Sequence, residues 1–112
     1  MATIGPKRSP QITPTWYLWD SGEQLLISTL AERQKYRNLK RDPRLAVCIV
    51  DPENSYRYIE VRGTAKTEPD DDHRLANALA GKYMDLEELP PEMLGEARVV
   101  IRVDPEQVVC YG

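Results

Sequence analysis

The hydrophobic pattern of this chain reads mostly as strands. Between Tyr56 and Ala65, the residues Arg57, Ile59, Val61 and Gly63 alternate with Tyr58, Glu60 and Arg62, the two-residue period of a long strand. Leu45-Ala46-Val47-Cys48-Ile49-Val50 is apolar throughout and reads as a strand buried on both faces. Gln11 to Asp20 is β-branched and aromatic, hence another strand. Pro14 cannot donate to a ladder and marks an edge or a bulge there. Ala2–Ile4 opens a first strand, and Gly5 to Pro10 reads as a turn. Asp20-Ser21-Gly22-Glu23 is a predicted hairpin turn returning into Leu25–Thr29. Ala97–Val103 is a strand, and Gln107–Tyr111 a last one after Asp104-Pro105.

Two stretches leave the strand period. Thr29-Leu30-Ala31-Glu32 matches a capping box, which predicts a helix starting at once, with Thr29 as N-cap and Glu32 reaching back. Tyr36 and Leu39 give it a narrow apolar face, and Asp42-Pro43 ends it. Pro69-Asp70-Asp71-Asp72 opens a second helix with acids at its positive end. Leu75, Leu79 and Tyr83, with Ala76 and Ala80 beside them, form its apolar face. Met84 to Gly95 reads as a loop around Pro90-Pro91. Six or seven mostly antiparallel strands with two short helices predict a mainly β (α+β) fold. Residues 1–112 form one domain, a small barrel rather than a βαβ layer.

Composition narrows the function. A chain of 112 residues with 41% apolar and 29% charged residues is an ordinary single globular domain. Its net charge of -3 argues against general affinity for nucleic acid or membrane. Apolar runs are too short to span a membrane, and Met1-Ala2-Thr3-Ile4 has no signal-peptide core, so a cytoplasmic location is expected. Cys48 and Cys110 lie in apolar strand-like runs and are expected to be buried, reduced thiols. His73 is the single histidine and leaves little for a histidine metal site or a catalytic triad. Its place at a helix start next to three acids predicts an exposed, structural residue. Glu87, Glu88 and Glu92 fall in a polar loop and read as surface.

One charge pattern stands out against that background. Arg33, Lys35, Arg37, Lys40, Arg41 and Arg44 put six of the fifteen basic residues into one short segment. The junction Ser28-Thr29, ahead of the predicted helix, combines two hydroxyls, free N–H groups and a positive dipole end, with Arg33 and Lys35 close by. That combination suits a phosphate. Lys40, Arg41 and Arg44 sit at the far end of the helix, where they meet its negative pole or solvent. Spacing alone leaves open a second reading, a solvated basic face. Trp16 and Trp19 are an odd number of residues apart. This predicts opposite faces of one strand, one ring in the core and the other flanking a ring-shaped ligand.

The segment PQITPTWYLWDSGEQLLISTLAERQKYRNLKRDPRLAVCIVDPENSYRYIEVRGTA resembles the pyridoxamine 5'-phosphate oxidase-like superfamily of split β-barrel flavoproteins. Within it, the chain is most similar to the actinobacterial branch of reductases that depend on the deazaflavin coenzyme F420. The resemblance rests on P-x-x-x-P-x-W, on I-S-T-x-x-x-R-x-K-x-x-N-L-x-R-D-P-R, and on Y-R-Y-x-E-V-R-G. It is detailed from Ala2 to Ala65 and general as far as Val109. It implies an FMN-binding type of split barrel and a homodimer with two cofactor sites at the subunit interface. Carried onto this chain, it implies Ser28, Thr29, Arg33 and Lys35 as phosphate ligands and Asn38 facing the site one helical turn later. Thr13, Pro14, Thr15 and Trp16 would then lie along the ring system. It also implies a short helix before the first strand. The sequence, starting at Met1-Ala2-Thr3, lacks one, which implies a trimmed chain or a differently closed barrel.

The activity so implied is hydride transfer from reduced F420 to a small organic substrate, with the protein orienting the ring and excluding water. No general acid stands out; solvent, Tyr17 or Arg57 are the proton sources to weigh. The alternative cofactor is FMN, held by the same phosphate ligands. Extra cations such as Arg37 and Lys40 would favour the longer, more anionic deazaflavin tail. A non-catalytic flavin or deazaflavin carrier, or a heme-sequestering dimer, is the reading from another class. A nucleic-acid interface over Arg33–Arg44 is disfavoured, since Tyr36 is the lone aromatic there.

Overall fold

The computed structural model describes residues 1–20, 24–93 and 95–112. The predicted turn residues Ser21, Gly22 and Glu23 lie outside that set. The described residues form β1 (Ala2–Ile4), β2 (Pro10–Ile12), β3 (Tyr17–Asp20), β4 (Gln24–Leu30), α1 (Gln34–Arg41), β5 (Arg44–Asp51), β6 (Asn54–Pro69), α2 (Arg74–Met84) and β7 (Arg98–Tyr111). All seven strands join one antiparallel sheet in the order β2-β1-β5-β6-β7-β4-β3.

That order carries a geometric consequence. β2 and β3 are opposite edges of the sheet, yet consecutive along the chain. The five steps from Ile12 to Tyr17 can span at most about 17 Å. The sheet therefore curls until its edges nearly meet, and residues 13–16 cross the seam. This is a split β-barrel, open along one line. The predicted single strand Gln11–Asp20 is in fact two edge strands, parted at Pro14, which has no N–H to give to either ladder.

The barrel interior is apolar. Leu25, Ile27, Val61, Ile101 and Val103 are fully buried there, with Leu39 of α1 packed onto the same cluster. Leu26, Leu75, Leu79 and Val100 make a second cluster, which seats α2 on the outside of β4 and β7. β6 and β7 are the long staves. β7 runs unbroken through Asp104-Pro105, where the sequence predicts two strands, and absorbs the irregularity as a bulge: Glu106 is the extra residue opposite the Arg62–Gly63 step of β6. A Cβ at Gly63 would collide with the Asp104 carbonyl, so glycine is required at this close approach.

Several expectations are corrected. The capping box does not start α1. Thr29 and Leu30 stay in β4, paired with Val99 and Arg98, and the Ala31 N–H extends the ladder to the Ala97 carbonyl. The sheet ladder outcompetes the local cap, and α1 begins after an extended Arg33. Its end is as predicted at Asp42, with Pro43 following. β5 is not buried on both faces: Leu45 and Val47 point into the core, while Cys48 and Val50 are exposed. Cys48 and Cys110 are therefore exposed free thiols on this chain, not buried ones. Neither Trp16 nor Trp19 is a core residue; both are exposed by about two-fifths, at 42% and 38%. No helix among the described residues is long and apolar enough to cross a membrane.

Candidate functional site

The seam where the sheet edges approach is also where the candidate residues gather. A cavity of about 740 Å³ lies there. Thr13, Pro14, Thr15 and Trp16 line one wall, and Ser28, Thr29 and Leu30 from the end of β4 line another. Arg33, Gln34 and Lys35 close the end near α1. Ala76 and Leu79 of α2, with Leu89 and Met93 of the following loop, give it an apolar side. Gln11, Glu96 and Arg98 complete it.

The irregular segment 13–16 is held from outside by α2. The rings of Trp16 and Tyr83 stack at 4.8 Å with an interplanar angle of 8°. Lys82 sits over the Tyr17 ring, 3.6 Å from its centroid, and donates to the Tyr17 carbonyl at 2.7 Å. The α2 face predicted from Leu75, Leu79 and Tyr83 thus serves two purposes. Its first two residues pack on the sheet, and Tyr83 fixes the seam wall.

The six clustered cations separate by their partners. Arg37 donates to Gln34 Oε1, Arg41 to the Ile4 carbonyl and Asn38 Oδ1, and Arg44 pairs with Asp42 at 2.7 Å. Lys40 lies over the Tyr36 ring. Arg33 and Lys35 have no side-chain partner among the described residues, and they are the two that face the cavity. Lys35 is half-buried, and its pKa is lowered from 10.5, first by burial and then by the charge of Arg33 beside it. A cation held in that condition gains most from an anion placed next to it. Arg37 and Lys40, considered for the tail of a longer ligand, do not line the cavity.

Asn38 is corrected. It is completely buried and does not line the cavity. Its Nδ2 donates to Thr3 Oγ1 at 3.0 Å and to Gln11 Oε1 at 2.7 Å, and its Oδ1 accepts from Gln34 Nε2 at 2.8 Å. Gln11 and Gln34 both line the cavity, so Asn38 stands behind the site and positions its rim. Ser28 and Thr29 also differ from the picture of two hydroxyls side by side. Ser28 pairs with Val100 and Thr29 with Val99, so the pleat sends them to opposite faces of β4.

Sequence reasoning missed Arg98. It sits two residues before Val100 on the same strand face, and its Nη1 reaches Ser28 Oγ at 3.5 Å. Only the pairing of β4 with β7 brings it there, seventy residues along the chain from Ser28. Its Nε is buried without a partner among the described residues, as is Thr13 Oγ1. Of the proton sources considered, Tyr17 lines a smaller groove of about 420 Å³ behind Pro14 and Thr15, together with Lys82 and Tyr83. Arg57 lines neither space and pairs loosely with Asp51 at 3.8 Å. The cavity can therefore present an anion with cations and hydroxyls at one end and an apolar body with α2 and the seam strand.

The profile of the pyridoxamine 5'-phosphate oxidase family matches residues 1–110, and the chain belongs to this family. A solved structure described as an F420 reductase is 38% identical, with 96% of this chain and 85% of that chain covered and a TM-score of 0.84. A conserved hypothetical protein from Mycobacterium tuberculosis is 28% identical over 98% of this chain and 73% of its own, with a TM-score of 0.77. A pyridoxamine 5'-phosphate oxidase-related, FMN binding protein from Nostoc punctiforme shares the fold. It has a TM-score of 0.70 at 14% identity, covering 97% of this chain and 70% of its own.

Proposed function

We propose that the protein is an oxidoreductase that binds the deazaflavin coenzyme F420 in the seam cavity and acts on a small organic substrate. The observation that carries this reading is the convergence of Arg33, Lys35 and Arg98 on one cavity that also has an apolar side, formed by Ala76, Leu79, Leu89 and Met93. A ring cofactor with an anionic tail has that division of chemistry. The residues fit it on a further count: Thr13 Oγ1 and Arg98 Nε are buried polar atoms without partners among the described residues, an arrangement disfavoured unless a ligand meets them. Similarity to a protein described as an F420 reductase supports the deazaflavin over FMN. FMN is the second reading, since its single phosphate would use the same Arg33 and Lys35.

In this reading Arg33 and Lys35 hold a phosphate, with Thr29 lining the same cavity, and residues 13–16 lie along the ring. Bound reduced deazaflavin supplies the hydride. The chain's own part is to orient the ring against the Thr13–Trp16 backbone and to keep water from its apolar side with Ala76, Leu79 and Leu89. Solvent is the proton source in this reading, since Tyr17 lines the adjoining groove and not the cavity.

We also propose that the working unit is a homodimer. Val50 and Tyr111 are each exposed by 49%, Val108 by 52% and Tyr56 by 87%, all on β5, β6 and β7. Tyr58 and Tyr111 stack at 4.5 Å in the same region. A second copy would cover these strands. Oxidation of reduced deazaflavin, followed by its absorbance with candidate acceptors, tests the enzyme reading. Binding without turnover over a broad set of acceptors would favour a carrier instead.

A further inference from the structure

Arg98 stands apart from the other cavity cations. It shares the face of β4 and β7 that carries Ser28 and Val100, whereas Thr29 points to the other face. Its side chain is 12% exposed, so its charge is largely removed from water. Its contacts are weak for a buried guanidinium. Nη1 is 3.5 Å from Ser28 Oγ, Nη2 is 3.5 Å from Glu96 Oε2, and Nε has no partner among the described residues. Glu96 is 43% exposed and lines the same cavity, at the limit of hydrogen-bond length. A solvated carboxylate in such geometry contributes little and is readily exchanged.

We propose that Arg98 and Ser28 form a second oxyanion subsite of the cavity, and that Glu96 is the internal counter-ion a ligand's carboxylate or phosphate displaces. The idea rests on reading the cavity as an anion site and adds a split to it. One subsite is at Arg33 and Lys35, and the other is at Arg98 on the Ser28 face of β4. A ligand with two acidic groups engages both. Those groups belong either to one cofactor or to a cofactor and its co-substrate.

The test uses inorganic phosphate at constant ionic strength, read as a rise in thermal midpoint. Arg33→Ala with Lys35→Ala removes both cations of the first subsite and leaves the Arg98 subsite as the responder, so phosphate still stabilises this double variant. Adding Glu96→Gln lowers the half-saturating phosphate about two- to fivefold, as expected for loss of a weak internal competitor. Arg98→Gln added to that double variant abolishes the response, with or without Glu96→Gln, while Arg98→Lys retains part of it. Arg98→Gln alone still responds through Lys35, which shows that it folds. Glu92→Gln, a nearby exposed carboxylate outside the cavity lining, changes nothing. The proposal is overturned by any of three results: no phosphate response in the Arg33→Ala, Lys35→Ala double variant, no gain from Glu96→Gln, or the same gain when Arg98 is already Gln. Because the probe is phosphate alone, these outcomes do not depend on whether the cavity takes a deazaflavin. A parallel F420 titration identifies the source. Arg98→Gln weakens F420 about tenfold if the cofactor supplies the second anion. If the co-substrate supplies it, F420 binding is unchanged and the co-substrate's KM rises instead.

Discussion

Asn38 Nδ2 donates a 2.7 Å hydrogen bond to Gln11 Oε1, tying the middle of α1 to the second strand from beneath the cavity. Asn38 is a member of the motif that carries the phosphate-binding cations, yet it touches no cavity space. Asn38→Leu removes both donors and leaves Thr3 Oγ1 and Gln11 Oε1 to lose their partner. The expected cost is about 1–3 kcal/mol of folding stability, since unsatisfied buried polar groups lose their full desolvation energy. Denaturant unfolding with an unchanged m-value checks this. A variant as stable as the parent with a large loss of ligand affinity would instead make Asn38 a direct ligand.

Lys35→Ala has the opposite profile. It removes a charge-assisted hydrogen bond to the anion, an expected loss of roughly 1.5–3 kcal/mol or about tenfold to a hundredfold in dissociation constant. The fold should hardly respond, because no described side chain depends on Lys35. Lys40→Ala is the matched control at the far end of α1, where its ammonium meets the Tyr36 ring instead of the cavity. Equal effects of the two substitutions on FMN or deazaflavin affinity would reduce the basic segment to a solvated face.

The lowered pKa of Lys35 sets a pH dependence. The anion site needs the charged lysine, so affinity is full below the lowered pKa and is lost as pH rises through it, before the ordinary 10.5. The folding contribution has the reverse slope. The folded chain binds this proton less tightly than the unfolded chain, so the penalty is present at lower pH and is relieved as pH rises through the window ending at 10.5. A ligand phosphate is fully ionised well below that window, its second pKa being about 6. Ligand affinity measured up the alkaline limb should show the loss in the parent and not in Lys35→Arg, whose charge persists. The same limb in both proteins would assign it to another group.

The exposed apolar strand surface predicts a dimer. Sedimentation at micromolar concentration should show two chains, and Tyr111→Lys with Val108→Lys should shift it toward one. A parent chain that is folded and monomeric at that concentration contradicts the proposal.

How far the sequence leads is visible in particular elements. The two-residue alternation of β6 and the apolar face of α2 are strong local signals, and both appear where they were expected. The helix start was misplaced because a capping box is a weak local preference, whereas the pairing of Thr29 and Leu30 with β7 is a tertiary one. β5 was read as doubly buried because its outward residues, Cys48 and Val50, are apolar too. Eight of the nine candidate ligands, all except Asn38, line one cavity. Ser28, Thr29, Arg33 and Lys35 were legible from the hydroxyls and cations gathered at one junction, whereas Thr13 to Trp16 came only with the family resemblance. Arg98 was not legible, since nothing local marks it, and only the β4–β7 register brings it to Ser28. The asparagine was misassigned for a related reason. It shares the helix with Lys35, and no local pattern tells the side that packs on β1 and β2 from the side that faces the cavity.

The central claim, that the seam cavity binds a deazaflavin through Arg33 and Lys35, is tested most directly by equilibrium titration. The purified protein would be titrated with F420 and FMN side by side, at one pH and two salt concentrations. The account predicts that F420 binds more tightly than FMN, and that both weaken as salt screens the exposed part of the site over about 8–10 Å. It also predicts that Lys35→Ala weakens both. Equal or reversed affinities would move the assignment to FMN, and binding of both ligands that is indifferent to Lys35 would contradict the site itself.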